Sequence, residues 1–188
     1  MRTFAAAIPA IVVACSANAA EPAFPLDKVL SAVSDYQDST YYRAILVQGQ
    51  EDADLYIFTR PDYENFVLTV RAPNIAITGI GGTDAYLKRN EAGNLQVISQ
   101  NSAIGRHRWE QILTIVYRNE QFIVGGYTYS YYDTLEVDEN GEVLTGECDV
   151  NLLTGKGIID GEKFQTKLKA FPVKEWTFET APNECSWE

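Results

Sequence analysis

The apolar side chains change period once along the chain. Leu26, Val29, Leu30, Val33 and Tyr36 recur at helical spacing, with Pro25 ahead of them and Asp27 in the would-be first turn. This predicts one amphipathic helix over residues 26–37, stopped by the polar run Asp38-Ser39-Thr40. Beyond it the period falls to two. Short runs rich in β-branched and aromatic residues predict strands at 43–48, 54–60, 66–71, 75–78, 85–89 and 95–99. Gly49, Pro61-Asp62, Pro73-Asn74, residues 79–82 and Ala92-Gly93-Asn94 punctuate them. The clearest strands are 112–118 and 122–132, a hairpin around Asn119-Glu120. Residues 135–137 and 142–145 form another around 138–141, and 164–170 and 176–179 close the series.

Strands this regular, with no helices alternating between them, indicate a mainly β fold built from antiparallel sheet. The expectation is a sandwich or a partly open barrel with the one N-terminal helix packed on it. No repeat, linker or low-complexity tract divides residues 20–188, which read as a single β-rich domain.

Residues 1–19 stand apart. Met1-Arg2-Thr3 is a short basic start, residues 4–14 are apolar, and Ala17 and Ala19 supply the small residues of a cleavage site. This is the layout of a secretory signal peptide, and the run is shorter than the ~20 residues of a spanning helix. The expectation is a chain exported to the periplasm and beginning near Ala20. Val12-Val13-Ala14-Cys15 also fits the pattern before a lipid-modified cysteine, and processing there would tether the protein to a membrane through Cys15. Ala17 and Ala19 would then be superfluous, which favours the soluble form.

Charge narrows the partners. The chain carries −11, and losing Arg2 with the leader takes it to −12. That balance argues against nucleic acid and against anionic headgroups, and is compatible with cationic partners or divalent cations. No second long apolar segment predicts a transmembrane span. Of the three cysteines, Cys148 and Cys185 follow the leader. In an oxidising compartment they allow one pairing, which would tie the C-terminal tail down and stabilise by about 3–4 kcal/mol. Glu147 and Asp149 flank Cys148 and disfavour a reactive thiolate.

The candidate chemistry is sparse. His107 is the single histidine and lies in Arg106-His107-Arg108-Trp109-Glu110. Glu110 could orient it as a base, but the flanking arginines lower its basicity, and no serine or cysteine is tied to it by a local motif. One imidazole also excludes multi-histidine zinc sites. Arg106 and Arg108 beside Trp109 instead suggest recognition of a carboxylate or phosphate, against the alternative that the protein's own acids neutralise them. Residues 136–147 have the spacing of a twelve-residue calcium loop with Glu136 in place of the usual Asp, yet strand-like flanks favour a plain hairpin. Gly79-Ile80-Gly81-Gly82 and Gly155-Lys156-Gly157 lack the spacing of nucleotide-binding loops and read as turns. Tyr127, Tyr129 and Tyr131 share one face of strand 122–132, with Ile123, and Phe122, Val124 and Thr128 take the other. That tyrosine row either anchors a partner or forms cross-strand pairs. Acid pairs recur at Asp52/Asp54, Asp133/Glu136 and Glu147/Asp149, the raw material of a glycosidase.

The stretches 101–110, Gly126-Tyr127-Thr128-Tyr129 and Cys148-Asp149-Val150-Asn151-Leu152-Leu153-Thr154-Gly155-Lys156 resemble a group of uncharacterised exported proteins of proteobacteria. Those proteins end in a β-meander with an Asn-x-Leu-Thr-Gly-Lys stretch. The resemblance covers the C-terminal half and implies a periplasmic β-rich protein, with no activity to carry over. The functional expectation is a non-catalytic binding or envelope accessory protein without a cofactor, metal or catalytic group. It would contact an envelope protein or glycan through residues 106–109 and the three tyrosines. The alternative is an envelope glycan hydrolase using paired carboxylates.

Overall fold

The N-terminal segment is a strand, not a helix. The structure, a computed structural model, describes residues 24–61 and 64–186; the expected leader, its cleavage site and Cys15 lie outside the described residues. After one 3-10 turn at Leu26–Lys28, β1 (Val29–Gln37) pairs antiparallel with β2 (Thr40–Gln48). Asp38 and Ser39, read from sequence as the helix stop, take φ of 45° and 65° and form a two-residue hairpin turn. Leu30 and Tyr36 face solvent while Ser31, Val33 and Asp35 turn inward. A short apolar period without a capping side chain is too weak to nucleate a helix against sheet pairing.

With β3 (Ala53–Thr59) and β4 (Val67–Ala76), these strands form a four-stranded sheet in the order β1-β2-β3-β4. β4 fuses two predicted strands. Pro73 and Asn74 fall in an irregularity of the β3–β4 register, where Asn74 has φ 50° and its N–H donates to Asp54 Oδ1 at 3.0 Å. An edge strand tolerates proline there because no ladder partner is lost on its outer side.

The second sheet is a meander of β5 (Thr83–Arg89), β6 (Leu95–Asn101), β7 (His107–Arg118), β8 (Gln121–Val137), β9 (Val143–Asn151), β10 (Lys156–Ile159) and β11 (Glu162–Gln165). β12 (Phe171–Pro172) pairs with β8 at Ile123 and Val124. The sheets meet in one core, from Tyr42, Leu46 and Ile57 on one side to Val97, Leu113 and Val150 on the other, and do not close into a barrel. At the seam β1 lies beside β5 with no ladder. Ser31 Oγ accepts the Leu87 N–H at 3.1 Å, Asp35 pairs with Arg89, and Gln37 Nε2 donates to Asn94 Oδ1 at 2.7 Å.

β8 carries the feature that decides which side chains meet. Thr114 pairs with Gly126 but Ile115 with Val124, so Gly125 is an extra residue. The bulge resets the alternation. Phe122 and Val124 therefore share the core face with Tyr127 and Tyr129, contrary to the simple period of two. Position 125 must be glycine on packing grounds, since a Cβ there would lie 2.8 Å from Val116 Cγ2.

The tail covers the aromatic row. Residues 176–179, predicted as a strand, lie instead among short 3-10 turns at Val173–Glu175, Phe178–Thr180 and Asn183–Cys185. Pro172 and Pro182 precede two of these turns and supply no N–H for a ladder. Trp176, 2 % exposed, stacks on Tyr127 at 5.9 Å and on Phe171 at 6.4 Å. Cys148 and Cys185 are joined, with Cα atoms 5.5 Å apart.

Two stability outcomes follow. Cys148→Ser lowers the melting temperature under oxidising conditions by roughly 6–12 °C, from about 3 kcal/mol of lost chain constraint. Excess reductant in calorimetry brings the wild type down to the variant. Gly125→Ala costs about 1–3 kcal/mol in urea unfolding, because Val116 is too stiff to yield without moving β7.

Candidate functional site

The β6–β7 loop and the long β8 strand build the site together. Asn101 organises the loop: its Nδ2 donates to the carbonyls of Ile104 and His107, both at 2.8 Å, and its Oδ1 accepts the Ile104 N–H at 2.8 Å. Across the ladder, β8 bends sharply after Tyr132, where the β8–β9 register slips before Val137. Asp133, 1 % exposed, fills that corner. Its Oδ1 accepts the Leu135 and Glu136 N–H groups, and Arg106 Nε reaches both its oxygens at 2.9 and 2.7 Å. Burial pushes the Asp133 carboxyl up, but the Leu135 N–H, the Arg106 guanidinium and the Glu136 N–H together hold it below the usual range.

This corner divides the predicted recognition segment. Arg106 is neutralised internally, since its Nη2 also lies 2.5 Å from Glu136. His107 is largely exposed, with Nδ1 3.4 Å from Asp133 Oδ2. Trp109 stacks on Tyr129 at 6.4 Å and alternates with the core residues Gln111 and Leu113. Arg108 belongs to the opposite, outer alternation, in register with Tyr132, and its buried Nη1 has no hydrogen-bond partner. The two arginines thus do not form one patch.

The tyrosine row is likewise divided. Tyr127 is buried, its hydroxyl 3.5 Å from Gln111 Oε1, and burial pushes its phenol far up. Tyr129 is half-buried, and burial followed by the neighbouring Tyr131 raises it as well. Tyr131 is half-buried and reaches the groove described next.

A groove of about 710 Å³ opens against the large sheet. Gln100, Glu110, Ser130 and Glu147 occupy successive strands in one register row, and Arg108, Tyr132 and Thr145 the adjoining row. Asp160 closes one end: its Oδ1 accepts the Glu147 N–H at 2.8 Å, while its own N–H donates to the Glu147 carbonyl at 2.9 Å. Of the predicted site residues, Arg108, Trp109 and Tyr131 come together here; Arg106, His107, Tyr127 and Tyr129 do not. Glu110 was read from sequence only as a partner for His107, and Asp160 was not singled out. Only the strand register brings them beside Glu147.

The other candidates resolve locally. Asp138 accepts the N–H groups of Asn140 and Glu142 and the Asn140 side chain, so the would-be calcium loop is a hairpin turn whose carboxylate is engaged by its own backbone. These donors hold Asp138 below the usual carboxylate range. Asp54 is held by Arg71, and Asp149 accepts the Thr128 hydroxyl at 2.8 Å. Asp52, whose carboxyl burial raises, sits in the β2–β3 connection of the other sheet. No group of three or more His, Cys, Asp or Glu among the described residues could hold a metal, and no helix among them is long and apolar enough to cross a membrane.

The Asp133 corner makes stability pH-dependent. A lowered folded value means its contribution is complete above the ordinary aspartate value of 3.8 and is lost as pH falls through the lowered one. Asp133→Asn therefore lowers the urea midpoint at pH 7, and the gap to wild type narrows as the pH falls below 3.8.

Compared with protein-family models, curated proteins and solved structures, the chain has no match in any of the three.

Proposed function

We propose that this is an exported, non-catalytic binding protein of the cell envelope that holds its partner in the groove along β7, β8 and β9. The observation that carries this reading is Arg108. It lines the groove beside the 44 % exposed Tyr132 with Nη1 unpaired, whereas Arg106 two residues earlier is saturated by Asp133 and Glu136. A guanidinium beside an exposed phenol and carboxylates suits a partner offering both polar and apolar contacts. Export is supported by the signal-like leader together with the Cys148–Cys185 bond, which is characteristic of oxidising compartments. The resemblance to exported proteobacterial proteins points the same way.

A second reading draws on Glu110 and Glu147, which flank Ser130 in one row. Two strand spacings put their backbones about 10 Å apart, a span across which two carboxyls can act on a glycosidic bond.

One experiment separates the two. Immobilised protein is challenged with an envelope fraction, and purified cell-wall glycan is assayed for released reducing ends. The expected result is capture without turnover, with Arg108→Ala/Tyr132→Ala reducing capture about tenfold at an unchanged melting temperature. Turnover abolished by Glu110→Gln and Glu147→Gln would replace the binding reading with the hydrolase.

A further inference from the structure

The groove borders a strand edge that the sheet leaves open. β10 covers β9 only from Cys148 to Asn151, and Asp160 then caps Glu147. Glu147 directs its N–H and C=O toward that side, so by the period of two Thr145 and Val143 do the same. No described strand lies beyond them. Val143 is 47 % exposed and Leu144 37 %. Unpaired N–H and C=O groups beside exposed apolar side chains form a template for another strand.

Charge selects the occupant. Between residues 119 and 155 there are eight acids and no Lys, Arg or His. Arg106 neutralises only Asp133 and Glu136 among them. A second copy of this chain paired edge to edge would set like charges opposite one another, and an anionic surface would be repelled. Faces differ too. Val143, Thr145 and Glu147 lie on the groove side with Glu110, and Leu144 on the other. A strand added here would run beside Glu147 and Asp160 on the groove face, where basic side chains are favoured, and would set apolar side chains against Leu144 on the other.

We infer that the Val143–Thr145 edge of β9 binds an extended segment of a partner protein in which basic and apolar residues alternate, adding it as a strand to the large sheet. The inference rests on the binding reading of the groove and specifies its partner.

The test uses the purified, oxidised protein and an acetylated nonapeptide of alternating Lys and Val. Its controls are a permuted Lys/Val peptide, an alternating Glu/Val peptide, and two N-methylated versions, one methylated at every Lys and one at every Val. In a strand all Lys N–H groups point one way and all Val N–H groups the other. One methylated peptide therefore loses at least about tenfold in affinity while the other binds like the parent. Amide exchange slows at Val143 and Thr145, and the permuted and Glu/Val peptides bind at least about tenfold more weakly. Thr145→Pro removes an edge donor outside the ladder and reproduces the loss. Equal binding of both methylated peptides, or of the permuted one, overturns strand addition and leaves simple attraction of cations to an acidic surface. Absence of binding by the parent peptide overturns it as well. If peptide binding persists with Val143 and Thr145 unprotected but falls with Arg108→Ala/Tyr132→Ala, the edge proposal fails and the groove reading stands.

Discussion

The single extra residue at Gly125 governs the architecture of this protein. β8 is the longest strand, and it pairs with β7 along most of its length, with β9 above the bulge and with β12 beside it. A regular strand of that length would bury one half of its apolar residues and expose the other. Because Gly125 absorbs one step, Phe122 and Val124 below it and Tyr127 and Tyr129 above it all reach the same core. The opposite face is freed for Thr128, Ser130 and Tyr132, and the groove depends on that face.

The second constraint is the tail. A two-layer fold that does not close leaves part of its interior to be sealed by other means. Here Val173, Trp176 and Cys185 do so as irregular chain, with the Trp176 and Cys185 N–H groups engaged in short turns rather than in a ladder. The bond to Cys148 attaches this seal to β9, the same strand whose far half borders the groove. Packing of the aromatic row and the position of β9 are therefore coupled through one strand.

Sequence periodicity located at least part of each strand from β2 to β9, because most hairpins carried their own turn chemistry, but it missed β10, whose first residues Lys156 and Gly157 read as a turn. Asn119-Glu120 is a two-residue turn at φ 50° and 62°, and Asp138 to Gly141 closes the next hairpin. It failed where a long-range partner decided the outcome. Residues 26–37 had the spacing of a helix, but β2 paired with them. Trp176 and Phe178 had the composition of a strand, but Trp176 is buried and Phe178 packs half-buried beside it as an irregular seal. Tyr127 and Phe122 were placed on opposite faces because a bulge leaves no trace in a count of alternate positions. The site was legible only in part: Arg108 was visible as a cation in an acidic chain, but its separation from Arg106 required Asp133, twenty-five residues away. Glu110, Glu147 and Asp160 become neighbours only through register, which sequence spacing does not encode.

The side-chain seam between β1 and β5 gives the molecule a direction of weakness. Pulled apart across any ladder, a sheet resists through many parallel backbone bonds loaded together. Across the seam the load falls on Ser31, Asp35 and Gln37 in succession, and each contact is a side chain that water can replace. Force applied at the N-terminal sheet would therefore be spent in parting the seam. The strands carrying the groove, β6 to β9, are joined to one another and to β5 by continuous ladders, so parting the seam leaves their register untouched.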